Sequence, residues 1–292
     1  MRNGGNCGAA LALFLSVLLA ACGHSSARVP LSEEPAACEV HEPQRLKPEV
    51  VATIPHQTDA YTEGLLIHNG MLFESIGLYG QSALRSVNLE TGEVLGQANL
   101  ADTVFGEGLA DGLNGELVQL TWKEGIAYRW DAQSLENLST ATPSGTFSYA
   151  GQGWGLTRMG TKDFVMTDGS ADIRLRDPQD FSVLGLHHVT RSNGPTIGLN
   201  ELEWDGTSVW ASRYQTDEIL QIKPGCWTVT AVVDLSALHE DAAQEASRAG
   251  TKIDVANGIA KVPGADTFLV TGKLWPSIYE VRFVPKSSEK GS

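Results

Sequence analysis

Apolar residues along this chain come in short runs separated by Gly, Asn, Asp and Ser. That is the pattern of brief strands joined by tight turns, not of amphipathic helices. One motif heads each cluster of runs: Glu63-Gly64-Leu65, Glu107-Gly108-Leu109, Trp154-Gly155-Leu156, Glu201-Leu202-Glu203 and Asn257-Gly258-Ile259. The steps between them are 44, 47, 47 and 56 residues. A second apolar run follows each motif (71–73, 117–120, 164–166, 209–211, 268–270), then a third (83–89, 126–130, 173–176, 219–222, 278–283). A fourth run is clear at 94–100, 183–189 and 230–235, and weak near Leu138. Four short strands at this period are the signature of propeller blades. A blade cannot bury both faces alone, so neighbours must stack and the ring must close. The last unit stops at its third strand near Phe283, while an unassigned apolar strand at 50–54 precedes the first unit. Used as the fourth strand of the last unit, it closes the ring. Counting then predicts an all-β, five-bladed β-propeller of four-stranded antiparallel blades over 49–285. A pair of β-sandwiches would use as many strands but leaves the repeated motif without a reason. Residues 237–249 are rich in Ala and Glu and hold no β-branched residue. They read as a helix inserted before the fifth unit, which accounts for the longest step.

Composition agrees with this pattern and adds an address. Gly is 31 of 292 residues, above the roughly 7% of average usage, as tight turns require. The apolar share, 42%, is enough for a core and excludes a largely disordered chain. A net charge of −14 argues against nucleic acid or an anionic lipid surface as a partner. Residues 1–21 read as a leader: Arg2, then an apolar stretch at 9–21 broken only by Ser16. That stretch is shorter than the ~20 residues of a spanning helix. Leu19-Ala20-Ala21-Cys22 resembles a bacterial lipobox, so Cys22 is the expected lipidation site; ordinary cleavage near Ala21 is the alternative. Residues 22–48, dominated by Ser, Glu, Pro and Ala, read as the lipidated Cys and a tether, and 286–292 as a tail. The expected location is the periplasmic side of a bacterial envelope, with the membrane touched only through the lipid and the chain monomeric. Cys38 and Cys226 remain, with two readings open: a bridge that pins the arm to the domain, which an oxidising envelope favours, or two free thiols. No CxxC or Cys/His cluster indicates structural zinc.

In a propeller the first strand of each blade lines the central channel. Residues entering those strands, Tyr61, Glu63, Phe105, Glu107, Trp154, Asn200, Glu201 and Asn257, therefore gather at one mouth. Buried carboxylates are costly unless paired, so the ring favours a ligand site over glutamates that merely hydrogen-bond backbone at the narrow end of the channel. A second reading is a lactone-opening propeller of the gluconolactonase type. There Glu63, Glu107, Asn200 and Asn257 would hold a divalent cation. Three ring aromatics would crowd that cage and Lys273 would repel the ion. A third reading is a non-enzymatic peptide-binding propeller.

The motifs also match a family. Tyr61-Thr62-Glu63-Gly64-Leu65, the run Phe73-Glu74-Ser75 to Gly80, Phe105-Gly106-Glu107-Gly108, Leu120-Thr121-Trp122 and Gly153-Trp154-Gly155-Leu156 come first. Thr167-Asp168-Gly169-Ser170, Leu199-Asn200-Glu201-Leu202-Glu203, Val209-Trp210-Ala211 and Thr271-Gly272-Lys273-Leu274-Trp275-Pro276 follow. In this order, over about 48–284, they resemble the plant-type (type I) glutaminyl-peptide cyclotransferases. The resemblance implies a five-bladed propeller that turns N-terminal Gln of peptides or proteins into pyroglutamate with release of ammonia. It implies no zinc and no cofactor, a structural calcium being the one ion left open. Carried over, Glu107 is the proton-transfer residue and Glu63, where many members have Gln, holds or deprotonates the substrate amine. Lys273 stabilises the oxyanion or orients Glu201, and Asn200 bonds a substrate carbonyl. Tyr61, Phe105, Trp122, Trp154, Glu201, Tyr214 and Trp275 line the substrate site. Trp210 reads as core, and His187 and His188, in an outer strand, as bystanders.

Overall fold

The computed structural model describes residues 38–286. The leader, Cys22 and most of the tether lie outside the described residues, as does the tail beyond Lys286. Among the described residues no helix is long and apolar enough to cross a membrane.

Strands dominate. β1 (Gln44–Pro55) is followed by a first unit, β2 (Thr62–His68), β3 (Met71–Ile76), β4 (Ala83–Val87) and β5 (Val94–Asn99). The second unit is β6 (Gly106–Asp111), β7 (Leu117–Thr121), β8 (Ile126–Trp130) and β9 (Gly145–Ser148), and the third is β10 (Leu156–Arg158), β11 (Phe164–Met166), β12 (Asp172–Arg176) and β13 (Val183–His188). A two-residue hairpin, β14 (Thr190–Arg191) and β15 (Gly194–Pro195), leads to the fourth unit: β16 (Leu199–Trp204), β17 (Val209–Arg213), β18 (Glu218–Lys223) and β19 (Thr228–Asp234). β20 (Ala256–Lys261), β21 (Phe268–Gly272) and β22 (Ser277–Pro285) form the last. Within each unit neighbouring strands pair antiparallel in chain order, and the first three units are separate four-stranded sheets. These blade-like sheets are consistent with a propeller.

The closing strand does more than complete the last unit. β1 pairs antiparallel with β22 from Leu46 to Pro55, while Gln44, Arg45 and Leu46 run parallel to Ala231, Val232 and Val233 of β19. One strand thus joins the last two units into a single sheet. It begins at Gln44, so the expectation of a tether reaching residue 48 is corrected: residues 44–48 carry ladder hydrogen bonds. Ahead of it, Cys38 is joined by a disulfide to Cys226, their Cα atoms 5.4 Å apart. The arm is thereby tied to the turn between β18 and β19.

The five larger apolar cores each lie between two neighbouring units. Leu66, Phe73 and Leu84 of the first pack with Leu109, Leu117 and Trp130 of the second. Ile54, Leu269 and Ile278 of the last pack with Leu65 and Leu72 of the first. The glycines of the repeated motif let the first strands approach this closely. A Cβ on Gly108 would sit 2.5 Å from the Leu156 nitrogen, and one on Gly155 2.0 Å from the Asn200 carbonyl oxygen.

Two local expectations meet the structure differently. The helix before the last unit is present as Ser236–Ala249 and buries Leu238, Ala242 and Ala246 on one face. The weak strand near Leu138 is not a strand. Asp131 caps a short helix, Ala132–Glu136, by accepting from the Ser134 nitrogen, and Leu138 lies buried in a 3-10 turn. Leu138 is apolar because that turn plugs the core between the first two units, and the fourth strand of the unit comes later, at Gly145–Ser148.

Candidate active site

Four first strands carry an irregularity at the same place. Register shifts fall between Thr62 and Gly64, Gly106 and Leu109, Leu199 and Leu202, and Ala256 and Ile259. A bulge re-aims the extra side chain. The residues it re-aims are Glu63, Glu107, Asn200 and Asn257. This register corrects the sequence alignment of the fourth unit. Asn200, not Glu201, occupies the position of Glu63 and Glu107, and Glu201 stands where the other units have glycine.

Tyr61, Glu63, Phe105, Glu107, Trp122, Trp154, Asn200, Tyr214 and Lys273 line one pocket of about 260 Å³. That is smaller than the roughly 300–1,000 Å³ of drug-sized ligand sites and fits a single residue's head group. At its floor the Lys273 Nζ donates to Glu63 Oε1 at 2.6 Å, both side chains being almost fully buried. The same ammonium lies 4.6 Å from the Tyr61 ring centre. Asn257 Nδ2 donates to Glu63 Oε2 at 3.3 Å and to the Thr62 carbonyl at 2.9 Å. Both donations fix the Asn257 amide, so its Oδ1 faces Asn200 and accepts from Asn200 Nδ2 at 3.1 Å. Asn200 Oδ1 is left buried and, among the described residues, without a partner.

The two carboxyls are set apart by their surroundings. Burial pushes Glu63 up, the Lys273 charge opposes it, and the group comes to about 7. Burial pushes Glu107 well above the ordinary carboxylate range; the Glu63 charge adds to this and Lys273 only partly offsets it. Glu107 is thus the carboxyl biased more strongly to its neutral form, and Glu63 the one whose ionised form the Lys273 charge favours. Environments that drive two carboxyls apart in this way assign acid and base.

Aromatic rings close the walls. Phe105 meets Tyr61 and Trp122 edge-on at 6.4 and 5.5 Å, and Trp154 meets Tyr214 at 5.3 Å. Second contacts hold the rings in place. Gln152 Oε1 accepts from both indole nitrogens, Trp122 at 2.8 Å and Trp154 at 3.0 Å. The Tyr61 hydroxyl donates to Asp254. Sequence reasoning missed Gln152 and Asp254; the one signal for Gln152 was its place two residues before Trp154. Gly169 belongs here too, since a Cβ on it would sit 2.6 Å from the Trp154 ring.

Two residues expected at the site, Glu201 and Trp275, fall elsewhere. Glu201 does not reach the pocket: its two oxygens accept from the Leu65 nitrogen at 3.1 Å and the Ile259 nitrogen at 2.9 Å, bracing two other first strands. Lys273 consequently orients Glu63, not Glu201. Trp275 is fully buried, its indole donating to the Asp254 carbonyl and packing on Tyr279. Trp210 is core, against Phe268 and Phe283. His187 stacks on Trp227 and His188 pairs with Asp172, both away from the pocket. Among the described residues no group of three or more His, Cys, Asp and Glu is arranged to hold a metal.

Antiparallel strand units carrying two buried carboxyls and a lysine in an aromatic pocket define an all-β protein with a polar, enclosed site. Comparison with known proteins gives the particular family. A sequence model described as glutamine cyclotransferase matches residues 18–283. The chain is 39% identical over 247 residues to the glutaminyl-peptide cyclotransferase of Arabidopsis thaliana, spanning 84% of this chain and 73% of that protein. The crystal structure of Myxococcus xanthus glutaminyl cyclase matches with a TM-score of 0.74 and 33% identity, over 84% of this chain and all of that one. The chain belongs to the glutamine cyclotransferase family.

Proposed function

We propose that this protein converts N-terminal Gln of peptides and proteins to pyroglutamate, releasing ammonia. The observation that carries the reading is a pair of buried carboxyls, Glu107 and Glu63, the second held 2.6 Å from the Lys273 Nζ, in one aromatic-walled pocket sized for one head group. The reaction needs a neutral α-amine folded back on its own side-chain amide, which is a matter of positioning. The aromatic walls would hold that folded form. As the amine attacks the amide carbon, Glu63 takes a proton from the attacking nitrogen. Glu107 gives its proton to the departing nitrogen, which leaves as ammonia. Proton exchange between the two carboxyls restores the starting state. The Lys273 ammonium, 2.6 Å from Glu63, is the one Lys or Arg among the described residues lining the pocket and would stabilise developing negative charge on oxygen. Asn200 takes a role different from the one expected of it. One of its two Nδ2 hydrogens goes to Asn257 and its buried Oδ1 is unpartnered among the described residues, so Oδ1 would receive a substrate N–H.

The finer parts of the reading belong to the same proposal. The chain forms a five-bladed propeller, supported by five inter-unit cores that run from the first unit round to the last and back. It works without a cofactor, as a monomer, anchored through Cys22 on the periplasmic side of a bacterial envelope. The test is release of ammonia from a Gln-initiated peptide, with the peptide losing about 17 Da, the mass that formation of such a lactam expels. EDTA leaves the rate unchanged. No ammonia across a wide pH range would overturn the assignment, and loss of activity with chelator would favour the metal-dependent alternative.

A further inference from the structure

Behind the pocket lies a second buried ion pair that the reaction does not use. His56, just past the closing strand, places Nε2 2.9 Å from Glu74 Oε1, and both side chains are 2% exposed. Its Nδ1 lies 2.8 Å from the Trp275 carbonyl oxygen. Nδ1 is also 3.3 Å from Thr271 Oγ1, whose proton goes to the Ser277 carbonyl. Both neighbours of Nδ1 are acceptors, so Nδ1 carries a proton. On the other side Glu74 Oε1 already accepts from Thr62 Oγ1 at 2.7 Å. Burial would raise the Glu74 carboxyl, but the His56 charge and the bonds from His56 and Thr62 outweigh it and hold the group below its ordinary range. The other charges near the pair are Arg85, which also favours ionised Glu74, and Asp59, which grips Arg85 with both oxygens. Both ring nitrogens thus face acceptor groups, Nδ1 the Trp275 carbonyl and Nε2 the Glu74 carboxyl.

Two chain segments meet at this pair, and they are the ones that carry the floor of the site. Thr62, bonded to Glu74, immediately precedes Glu63. The turn 272–277, whose Trp275 carbonyl His56 holds, presents Lys273. Leu274 in that turn has φ 62°, a left-handed conformation that a branched side chain keeps only when its surroundings impose it. The Leu274 nitrogen donates to the Ala60 carbonyl at 2.7 Å and the Lys273 nitrogen to Val255 at 3.0 Å. The Asp254 nitrogen donates to the Lys273 carbonyl at 2.9 Å and the His56 nitrogen to the Pro276 carbonyl at 2.8 Å, and the His56 ring adds the hold on the Trp275 carbonyl.

We infer that His56 and Glu74 are a positioning dyad: the His56 ring holds the turn bearing Lys273, the Glu74 carboxyl holds the strand bearing Glu63, and their bridge fixes the Lys273–Glu63 contact from behind. The inference rests on the reading of Glu63 and Lys273 as reaction groups. Most of the aromatic wall (Phe105, Trp122, Trp154, Tyr214) stands on other units. Loosening the dyad therefore affects kcat and the ionisation of Glu63 more than substrate binding.

The experiment compares His56→Gln, Glu74→Gln, the double variant and Thr62→Val with wild type. Each Gln variant is expected to lose about 10–100-fold in kcat, the scale of a small misplacement of reacting groups, while KM stays within about threefold. The acid limb of the pH–rate profile moves to higher pH as Lys273 separates from Glu63. The double variant recovers part of the loss, because neither single variant's stranded charge remains. Thr62→Val, which strands no charge, moves kcat the same way by about threefold to tenfold and decides the matter should the Gln variants fail to fold. Nitrogen-15 NMR of the labelled histidines reads the dyad directly: His56, assigned by its loss in His56→Gln, shows both ring nitrogens protonated at neutral pH. A neutral His56, or a folded His56→Gln or Thr62→Val variant with wild-type kcat and pH profile, overturns the dyad. A wild type that releases no ammonia overturns the cyclase reading instead, and the NMR result still decides the state of His56.

Discussion

Glu107 and Glu201 invite comparison, since both sit in the bulge of a first strand and both are almost fully buried. One position in the bulge separates them. Glu107 is the residue aimed at the mouth, where its carboxyl meets Glu63, the Lys273 charge and open space. Glu201 is the next residue, in the glycine's place, and both its oxygens are consumed by backbone N–H groups of neighbouring strands. A buried carboxyl whose acceptors are all filled by fixed backbone donors is a brace. One left with a titratable neighbour and room for substrate can do chemistry.

The largest break in this comparison comes at Glu107. Glu107→Gln keeps the shape and removes the transferable proton, so kcat for ammonia release should fall by about 10²–10⁴-fold. The thermal midpoint should hold, since no ion pair is lost. A variant that kept wild-type turnover would place the acid elsewhere. Next comes Lys273→Met, expected to cost about tenfold to a hundredfold at pH 7 and to change the pH profile in a defined direction. Glu63 works ionised, so the rate rises with pH through its value of about 7. The Lys273 charge lowers that value; without it Glu63 titrates higher and the acid limb moves to higher pH. At the alkaline end activity falls as Glu107 loses its proton in either protein. An acid limb that stayed in place would show that Glu63 does not set it.

Most of the fold was legible in the sequence because strand runs and motif glycines repeat, and repetition survives without knowledge of contacts. Nine of the residues expected to form the site do line the pocket. What failed, failed by register or by partner. Glu201 was aligned with Glu63 because both are glutamates, whereas the bulge makes Asn200 the equivalent residue. Trp275 sits in a motif rich in site residues, yet its indole faces Asp254 and the core. Gln152, Asp254 and the His56–Glu74 pair act through contacts between distant segments, and a single sequence carries no periodic trace of such contacts.

The smallest expected effect lies at the brace. Glu201→Gln leaves one of the two N–H groups, Leu65 or Ile259, facing an amide nitrogen that cannot accept. Stranding a buried donor costs about 1–3 kcal/mol, which should appear as a lower thermal midpoint while kcat and KM of the folded variant stay close to wild type. The gap has a pH signature. Burial raises the Glu201 carboxyl in the folded chain, and the two backbone bonds only partly counter it. Its contribution to stability is therefore whole below the unfolded carboxyl value and declines as pH rises toward the folded one. A neutral acid's hydroxyl oxygen still accepts a hydrogen bond, so wild type keeps its advantage in acid. Melting curves should show the largest difference between the two proteins at low pH, narrowing as pH rises. A large loss of kcat with an unchanged melting curve would make Glu201 a participant in the reaction and erase the distinction from Glu107.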